Sequence, residues 1–294
     1  MIFVKVTMGL DTATATTTLS RTDSAKILKS IGFDGIDYGL AWFHHISTVT
    51  NPESKEAIIK EMLGYKELGL EISQTHLHYL SSEFYGPGKY PEFEQKYLDA
   101  LISEIEICGA AGCPVAVLHT YFEEDREATI RSNKIFFDKI LPHLEKNNVK
   151  LALENVYGGG DKLYAKFNNA TAEDFMVYFE DYKSPYLGAC LDTGHANCVK
   201  ESAAQMAKTF GKYLIATHLS SNAGRDTHVM PGMVYDFADP INWIEFSKTL
   251  KEIGYEGTYN LEICAGNYPH DVMDGIHYLQ MAYGIGRRYA DLAE

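Results

Sequence analysis

The sequence has no surplus of basic residues, no long apolar run, no paired cysteines and no glycine-rich nucleotide fingerprint, and each absence removes a class of function. Twenty-six Lys and Arg face 40 Asp and Glu, a formal charge of −14. Such a chain repels polyphosphate strands and anionic lipid unless its basic groups are gathered in one place, and no basic block occurs. No stretch approaches the roughly 20 apolar residues of a membrane span. The opening, MIFVKVTMGLDTATATTTLS, lacks the charged-then-apolar order of a secretory signal. The five cysteines, Cys108, Cys113, Cys190, Cys198 and Cys264, are odd in number and form no C-x-x-C pair. That usage points to reduced thiols and a cytoplasmic location.

What is present is the composition of an ordinary globular protein with a sizeable core: 294 residues, 46% hydrophobic and 22% charged. After an apolar segment from Phe3 to Met8, short strand-like runs alternate with longer stretches of helical period. The runs are GIDYG around Asp37, ISQTH to His76, VAVLH to His119, KLALE to Glu154, LGACLD to Asp192, LIATH to His218 and YNLE to Glu262, which with the first makes eight. Between them lie amphipathic stretches such as Pro91 to Gly109, Arg126 to Lys146, Thr171 to Tyr182, Glu201 to Phe210, Pro240 to Ile253 and Asp271 to Leu292. Thr171, followed by Glu173 and Asp174, reads as a capped helix start, and Gly254 as a helix stop. Eight alternating units predict a parallel sheet closed into an α/β (β/α)8 TIM barrel, a single domain over residues 1–294. The competing open doubly wound sheet would carry a glycine fingerprint after its first strand, whereas the turn there reads DTATATTT.

The third to eighth runs all end in a residue able to hold a metal: His76, His119, Glu154, Asp192, His218 and Glu262. Asp, Glu and His make up roughly one residue in six, so six successive hits exceed chance. In a barrel these ends share the rim where active sites lie, and neighbouring strands are about 4.8 Å apart. Glu154, Asp192, His218 and Glu262 can therefore converge on one ion. Three carboxylates and one imidazole form an oxygen-rich set suited to Mn2+, Mg2+ or a comparable ion such as Co2+ or Zn2+. His195 follows Asp192 in the segment DTGH, and Asp226 with His228 forms a D-x-H pair in the loop after His218, so a second metal could be held by Asp226 and His228. Trp42 follows the second strand, where its ring could stack on an apolar face of a bound ligand or close the pocket over it. The remaining histidines, His44, His45, His143, His270 and His277, have no strand end to bring them to the rim, and His78 falls in the loop beyond His76.

The pieces THLHYL, VLHT, LALENV, CLDTGHAN, THLSSN, GRDTHVMPG and INWIEFSKTLKEIGYEGTYNLEI resemble the sugar isomerase/epimerase superfamily, the xylose isomerase-like barrels that include the apurinic-site endonucleases. The resemblance runs from about residue 24 to 290 and is most specific from Trp243 through Gly257 to Glu262. It implies a divalent metal on Glu154, Asp192, His218 and Glu262, with the two glutamates also moving protons on opposite faces of a sugar. It places His195 and Arg225 near substrate oxygens. It extends as well to three-zinc endonucleases, whose ligands His76, His119, Glu154, Asp192, His195, His218, Asp226, His228 and Glu262 match in type and order. One departure is Val234, where many members have a glycine in the loop after the seventh strand.

Charge separates these branches. An endonuclease grips several phosphates with basic groups, which a chain of −14 does not offer freely. A small neutral sugar or polyol needs a metal, acid/base groups and a few donors, here including His195, Arg225, His76, His119 and Trp42. The expected activity is thus a metal-dependent isomerase or epimerase of carbohydrate metabolism that removes the hydrogen next to a carbonyl through an enediolate, with Glu154 and Glu262 as catalytic bases and Mn2+ as the favoured ion. The same residues support an inosose-type dehydratase if a β-hydroxyl leaves, and three ions would support phosphoester hydrolysis. No nucleic-acid or membrane partner is expected; a homodimer or homotetramer fits barrels of this kind. Tyr157 to Gly160, a Tyr-Gly-Gly-Gly run after Glu154, reads as a loop on the active face.

Overall fold

Runs such as KLALE and LGACLD are apolar on both faces, as strands must be when a sheet is covered on both sides. A computed structural model of the chain, which describes residues 4–79, 91–121, 125–156, 169–233, 238–263 and 271–293, shows how both faces are covered. The elements run β1 (Val6–Gly9), α1 (Leu10–Thr17), α2 (Arg21–Ile31), β2 (Gly35–Asp37), α3 (Leu40–Phe43), α4 (Ile46–Val49), α5 (Pro52–Glu67), β3 (Glu71–His76), α6 (Pro91–Ala111) and β4 (Val115–His119). They continue as α7 (Arg126–Asn147), β5 (Lys150–Glu154), α8 (Ala172–Tyr182), β6 (Leu187–Asp192), α9 (Thr193–Cys198), α10 (Ala203–Phe210), β7 (Leu214–His218), α11 (Trp243–Glu252), β8 (Tyr259–Leu261) and α12 (Val272–Ala293).

The strands are parallel and ordered β7-β6-β5-β4-β3-β2-β1-β8. The ring closes between β7 and β8 through a parallel bridge from Leu219 to Leu261, with Leu219 N–H donating to Asn260 O at 2.9 Å and Glu262 N–H to Leu219 O at 3.3 Å. This is the expected (β/α)8 TIM barrel. Strand alternation divides the core in two. Leu151, Leu153, Leu191 and Leu261 join the large layer between sheet and helices, while Val115, Val117, Ala152, Cys190 and Ala216 form a small separate cluster. Two residues further along their strands, Val117, Ala152, Cys190 and Ala216 are succeeded by His119, Glu154, Asp192 and His218. The small cluster is therefore the floor beneath the polar rim.

Local signals set the element ends. Thr171 and Asp174 form a capping box at the start of α8. Gly254 takes φ +69 just beyond α11, where L side chains are strained. The helices begin slightly later than the periodicity suggests at two places, because Ser202 and Asn242 cap α10 and α11 by accepting from Gln205 N and Glu245 N. The stretch DTATATTT is a helix, α1, rather than a turn. Its threonines bond back into it, Thr14 Oγ1 to Leu10 O at 2.9 Å and Thr17 Oγ1 to Ala13 O at 2.8 Å. Packing on α12 also holds it: a Cβ on Gly275 would lie 2.4 Å from Thr16 O.

Candidate metal centre at the barrel mouth

Every rim residue expected from the strand ends reaches one place. β4 and β5 pair His119 with Glu154, β6 and β7 pair Asp192 with His218, and Glu262 follows β8 beside Leu219. Glu154 is at the centre. Its Oε2 lies 3.3 Å from His76 Nε2 and 3.2 Å from His119 Nε2, and its Oε1 lies 3.4 Å from His195 Nδ1 and 3.2 Å from His218 Nδ1. Glu262 Oε2 approaches the same His218 Nδ1 at 3.0 Å. Asp192 is held by its neighbours: its N–H donates to Asn155 Oδ1 at 2.8 Å, and its Oδ1 caps α9 by accepting from His195 N at 2.6 Å. Gly194 permits that turn, since a Cβ there would meet Ser220 Oγ at 2.6 Å. In the following loop, Asp226 Oδ1 lies 2.8 Å from His228 Nε2 and its Oδ2 3.6 Å from His195 Nε2.

These contacts shift the ionisation of the residues at the site. Burial alone would push Glu154 up, but the His218 and His119 charges hold it well below the usual carboxylate range. Burial likewise opposes ionisation of Glu262, which His218 nevertheless holds at about 2. Asp192 is pushed up to about 6 by burial, despite His195 and His228. His195 and His218 are raised well above the ordinary imidazole range, against burial, by neighbours that include Asp192 for the former and Glu262 for the latter. Burial pushes His119 the other way.

The residues suit a cation for a specific reason. His76 Nε2, Glu154 Oε2, Asp192 Oδ2, both ring nitrogens of His218 and Glu262 Oε2 are buried polar atoms without a hydrogen bond. Leaving so many unpaired is costly unless another group satisfies them. Donor atoms of Glu154, Asp192, His218 and Glu262 lie within 4.8 Å of one another. In two flanking groups, His76/His119/Glu154 and Asp192/His195/His228, the donor atoms also lie within 4.8 Å of one another. The central set is rich in oxygen and open to hard divalent ions, whereas the flanking sets contain more imidazole.

Trp42, on α3, is 46% exposed, and its ring centroid is 5.4 Å from that of His76. Tyr79 completes a wall with Trp42 at 5.9 Å and His119 at 4.4 Å. Arg225 is exposed on the loop, and its contact there is through its carbonyl, which accepts from Thr227 Oγ1 at 3.3 Å. His78, just beyond β3, has its Nδ1 2.6 Å from the buried Glu104. Val234, Tyr157 to Gly160, Cys264 and His270 lie outside the described residues.

Three further residues belong to this neighbourhood. Asp37, at the end of β2, faces His218 Nε2 at 3.5 Å. Asp11, in the first turn of α1, is pushed up to about 6 by burial and by the Glu262 and Asp37 carboxylates. Cys190 approaches Glu154 and His218, and burial pushes its thiol up to about 12. The strand-end rule could have found Asp37; nothing in the local sequence distinguishes the other two.

A family model described as a xylose isomerase-like TIM barrel matches residues 25–281. The chain belongs to that family. Among relatives, the uncharacterized protein y4fM of Sinorhizobium fredii is 25% identical over 206 residues, 67% of this chain and 61% of that protein, so the chain spans less than two thirds of that relative's length. A solved D-psicose 3-epimerase in the presence of D-fructose superposes with a TM-score of 0.77 at 14% identity, covering 99% of this chain and 100% of the other. The IolI protein with a bound zinc atom gives a TM-score of 0.71 at 15% identity, covering 96% and 97%. These likenesses establish the xylose isomerase-like fold. Among the described residues no helix is long and apolar enough to cross a membrane.

Proposed function

We propose that this member of the xylose isomerase-like family is a divalent-metal-dependent sugar isomerase or epimerase acting on a small ketose or polyol. The observation that carries this reading is the meeting of two glutamates across one imidazole: Glu154 and Glu262 approach His218 Nδ1 at 3.2 and 3.0 Å, with Asp192 in the same group. Glu154, Asp192, His218 and Glu262 would hold the cation, which supplies Lewis-acid polarisation of a substrate carbonyl. Their oxygen-rich character favours Mn2+.

Proton removal from the carbon next to that carbonyl falls to one glutamate and proton return to the other. Glu262, with 22% of its side chain exposed, is the more open; Glu154, at 1%, is enclosed by histidines. Return to the opposite face of the same carbon gives epimerisation, and return to the neighbouring carbon gives aldose–ketose isomerisation. His195, His76 and His119 bind substrate oxygens, and Trp42 covers an apolar face of the sugar. The epimerase and IolI likenesses support this class of chemistry. The four described cysteines are free and buried, which suits a reducing cytoplasm.

The test is to strip the protein with a strong chelator, restore Mn2+, Mg2+, Co2+ or Zn2+ singly, and incubate free ketoses and inososes in D2O. Metal-dependent deuterium incorporation next to the carbonyl is expected. A panel without exchange under any ion refutes the reading, and loss of water from an inosose identifies a dehydratase instead. The flanking His76/His119/Glu154 and Asp192/His195/His228 groups favour a second reading, three-metal phosphoester hydrolysis. Three bound equivalents together with nicking of an abasic duplex would replace the sugar assignment.

A further inference from the structure

The histidines at the barrel mouth are oriented in two different ways. His76, His195 and His228 turn Nδ1 toward backbone carbonyls, Leu77 O at 2.8 Å, Asn155 O at 2.9 Å and Glu262 O at 3.1 Å. Each then presents Nε2 on its other side. His218 is reversed: Nδ1 faces Glu154 and Glu262, and Nε2 faces the Asp37 carboxylate at 3.5 Å. That separation is about 0.5 Å longer than a usual N–H···O hydrogen bond, so the carboxylate faces the ring nitrogen without a formed hydrogen bond.

Asp37 is itself fixed in place. Gly39 N–H donates to its Oδ1 at 3.1 Å and Gln74 Nε2 to its Oδ2 at 3.0 Å, and the residue is buried. Gln74 in turn reaches Thr217 O, beside His218, at 3.5 Å. β2 and β3 thus hold a carboxylate against the back of a ring carried by β7. A histidine ligand whose far nitrogen donates to a carboxylate is locked in one tautomer and is more basic than one backed by a neutral carbonyl.

We propose that Asp37 is the positioning residue of the metal centre: it keeps the His218 proton on Nε2 and the lone pair on Nδ1, so the Glu154/Asp192/His218/Glu262 group takes up the first and tightest ion ahead of the two flanking groups. This rests on the metal reading of the site. It adds a reason why the central group dominates the flanking groups that overlap it, and it assigns a role to a residue on β2, far in sequence from the central ligands.

The test uses the full chain, stripped by chelation and titrated with Zn2+ against a chromogenic competitor. Asp37→Asn keeps the acceptor for Gly39 N–H and removes the charge; Asp37→Ala removes both. The first equivalent is expected to weaken about 10-fold in Asp37→Asn and up to about 100-fold in Asp37→Ala, with weaker equivalents nearly unchanged. An unchanged first equivalent, or equal weakening of all equivalents, overturns the role of Asp37 while leaving the metal site standing. A wild-type protein that binds no ion overturns the metal reading itself, and this inference with it. A measurement independent of the variants' folding is long-range 1H–15N correlation on zinc-loaded wild type. His218 is expected to carry its proton on Nε2 and its metal shift on Nδ1, and the opposite assignment refutes the proposal.

Discussion

Replacing Glu154 with glutamine preserves the shape of the side chain and removes one charge at the most crowded point of the site. The carboxylate meets four imidazoles at 3.2–3.4 Å, and at such distances each charged ring contributes about 5 kcal/mol of gross attraction at an effective dielectric constant of about 20. Much of this is replaced, because His218 keeps Glu262 at 3.0 Å and His195 keeps Asp226 and Asp192 at 3.6 and 3.7 Å. The variant is therefore expected to fold with a stability loss of about 3–5 kcal/mol, the usual cost of breaking a buried pair. On the proposed function its chemistry is expected to fail for a separate reason, since an amide cannot accept a proton from the substrate. General-base loss corresponds to about 10²–10⁴ in rate, or about 3–5 kcal/mol of barrier. The assay is NMR of deuterium incorporation into the ketose in D2O, with bound metal measured on the same sample and folding checked by circular dichroism. A folded Glu154→Gln protein that holds its ion and exchanges within about tenfold of wild type removes Glu154 from proton transfer.

Three further outcomes are expected. Glu104→Gln takes the charge from a fully buried carboxylate that receives His78 Nδ1 at 2.6 Å and His78 N–H at 3.2 Å, and it is expected to cost about 2–4 kcal/mol in urea unfolding; a loss below about 0.5 kcal/mol contradicts that. In the chelator-treated protein burial opposes the charge on His228, but Asp226 and Glu262 hold its pKa at about 10. The stabilisation is then complete below the ordinary imidazole value of about 6.5 and is lost as pH rises through about 10, while the Asp226 contribution is lost only as pH falls below the carboxylate range. An NMR titration of His228 with its midpoint near 6.5 contradicts the pairing. Trp42→Ala is expected to raise KM about 3- to 10-fold for the substrate found by exchange, with a smaller change in kcat; equal KM values dismiss the stacking role.

Much of this site is legible from the chain because a closed parallel barrel converts sequence position into spatial position. Once His119, Glu154, Asp192 and His218 are read as strand ends, ring closure brings them together without any knowledge of the helices. The hidden parts depend on contacts across the ring. Asp37 ends the short strand β2, and its meeting with His218 crosses the barrel from β2 to β7. α1 was hidden because threonine-rich sequence favours turns and strands, and its helical form depends on hydrogen bonds by its own hydroxyls and on close packing with α12. Arg225 shows the limit of placing a side chain from a motif: the loop carries it to the surface, while Asp226, the next residue, turns inward to His195 and His228.

The ring's final joint lies between Leu219 and Leu261, and the imidazole of His218 and the carboxylate of Glu262 stand immediately beside it in the chain. A cation gripped by both would rivet the seventh and eighth staves of the cylinder, so loading the site and tightening the hoop become one event. Amide protons of Leu219 and Glu262, which bond across that joint, would then gain more shelter from solvent exchange on loading than those between β5 and β6, where four residue pairs already lie in register.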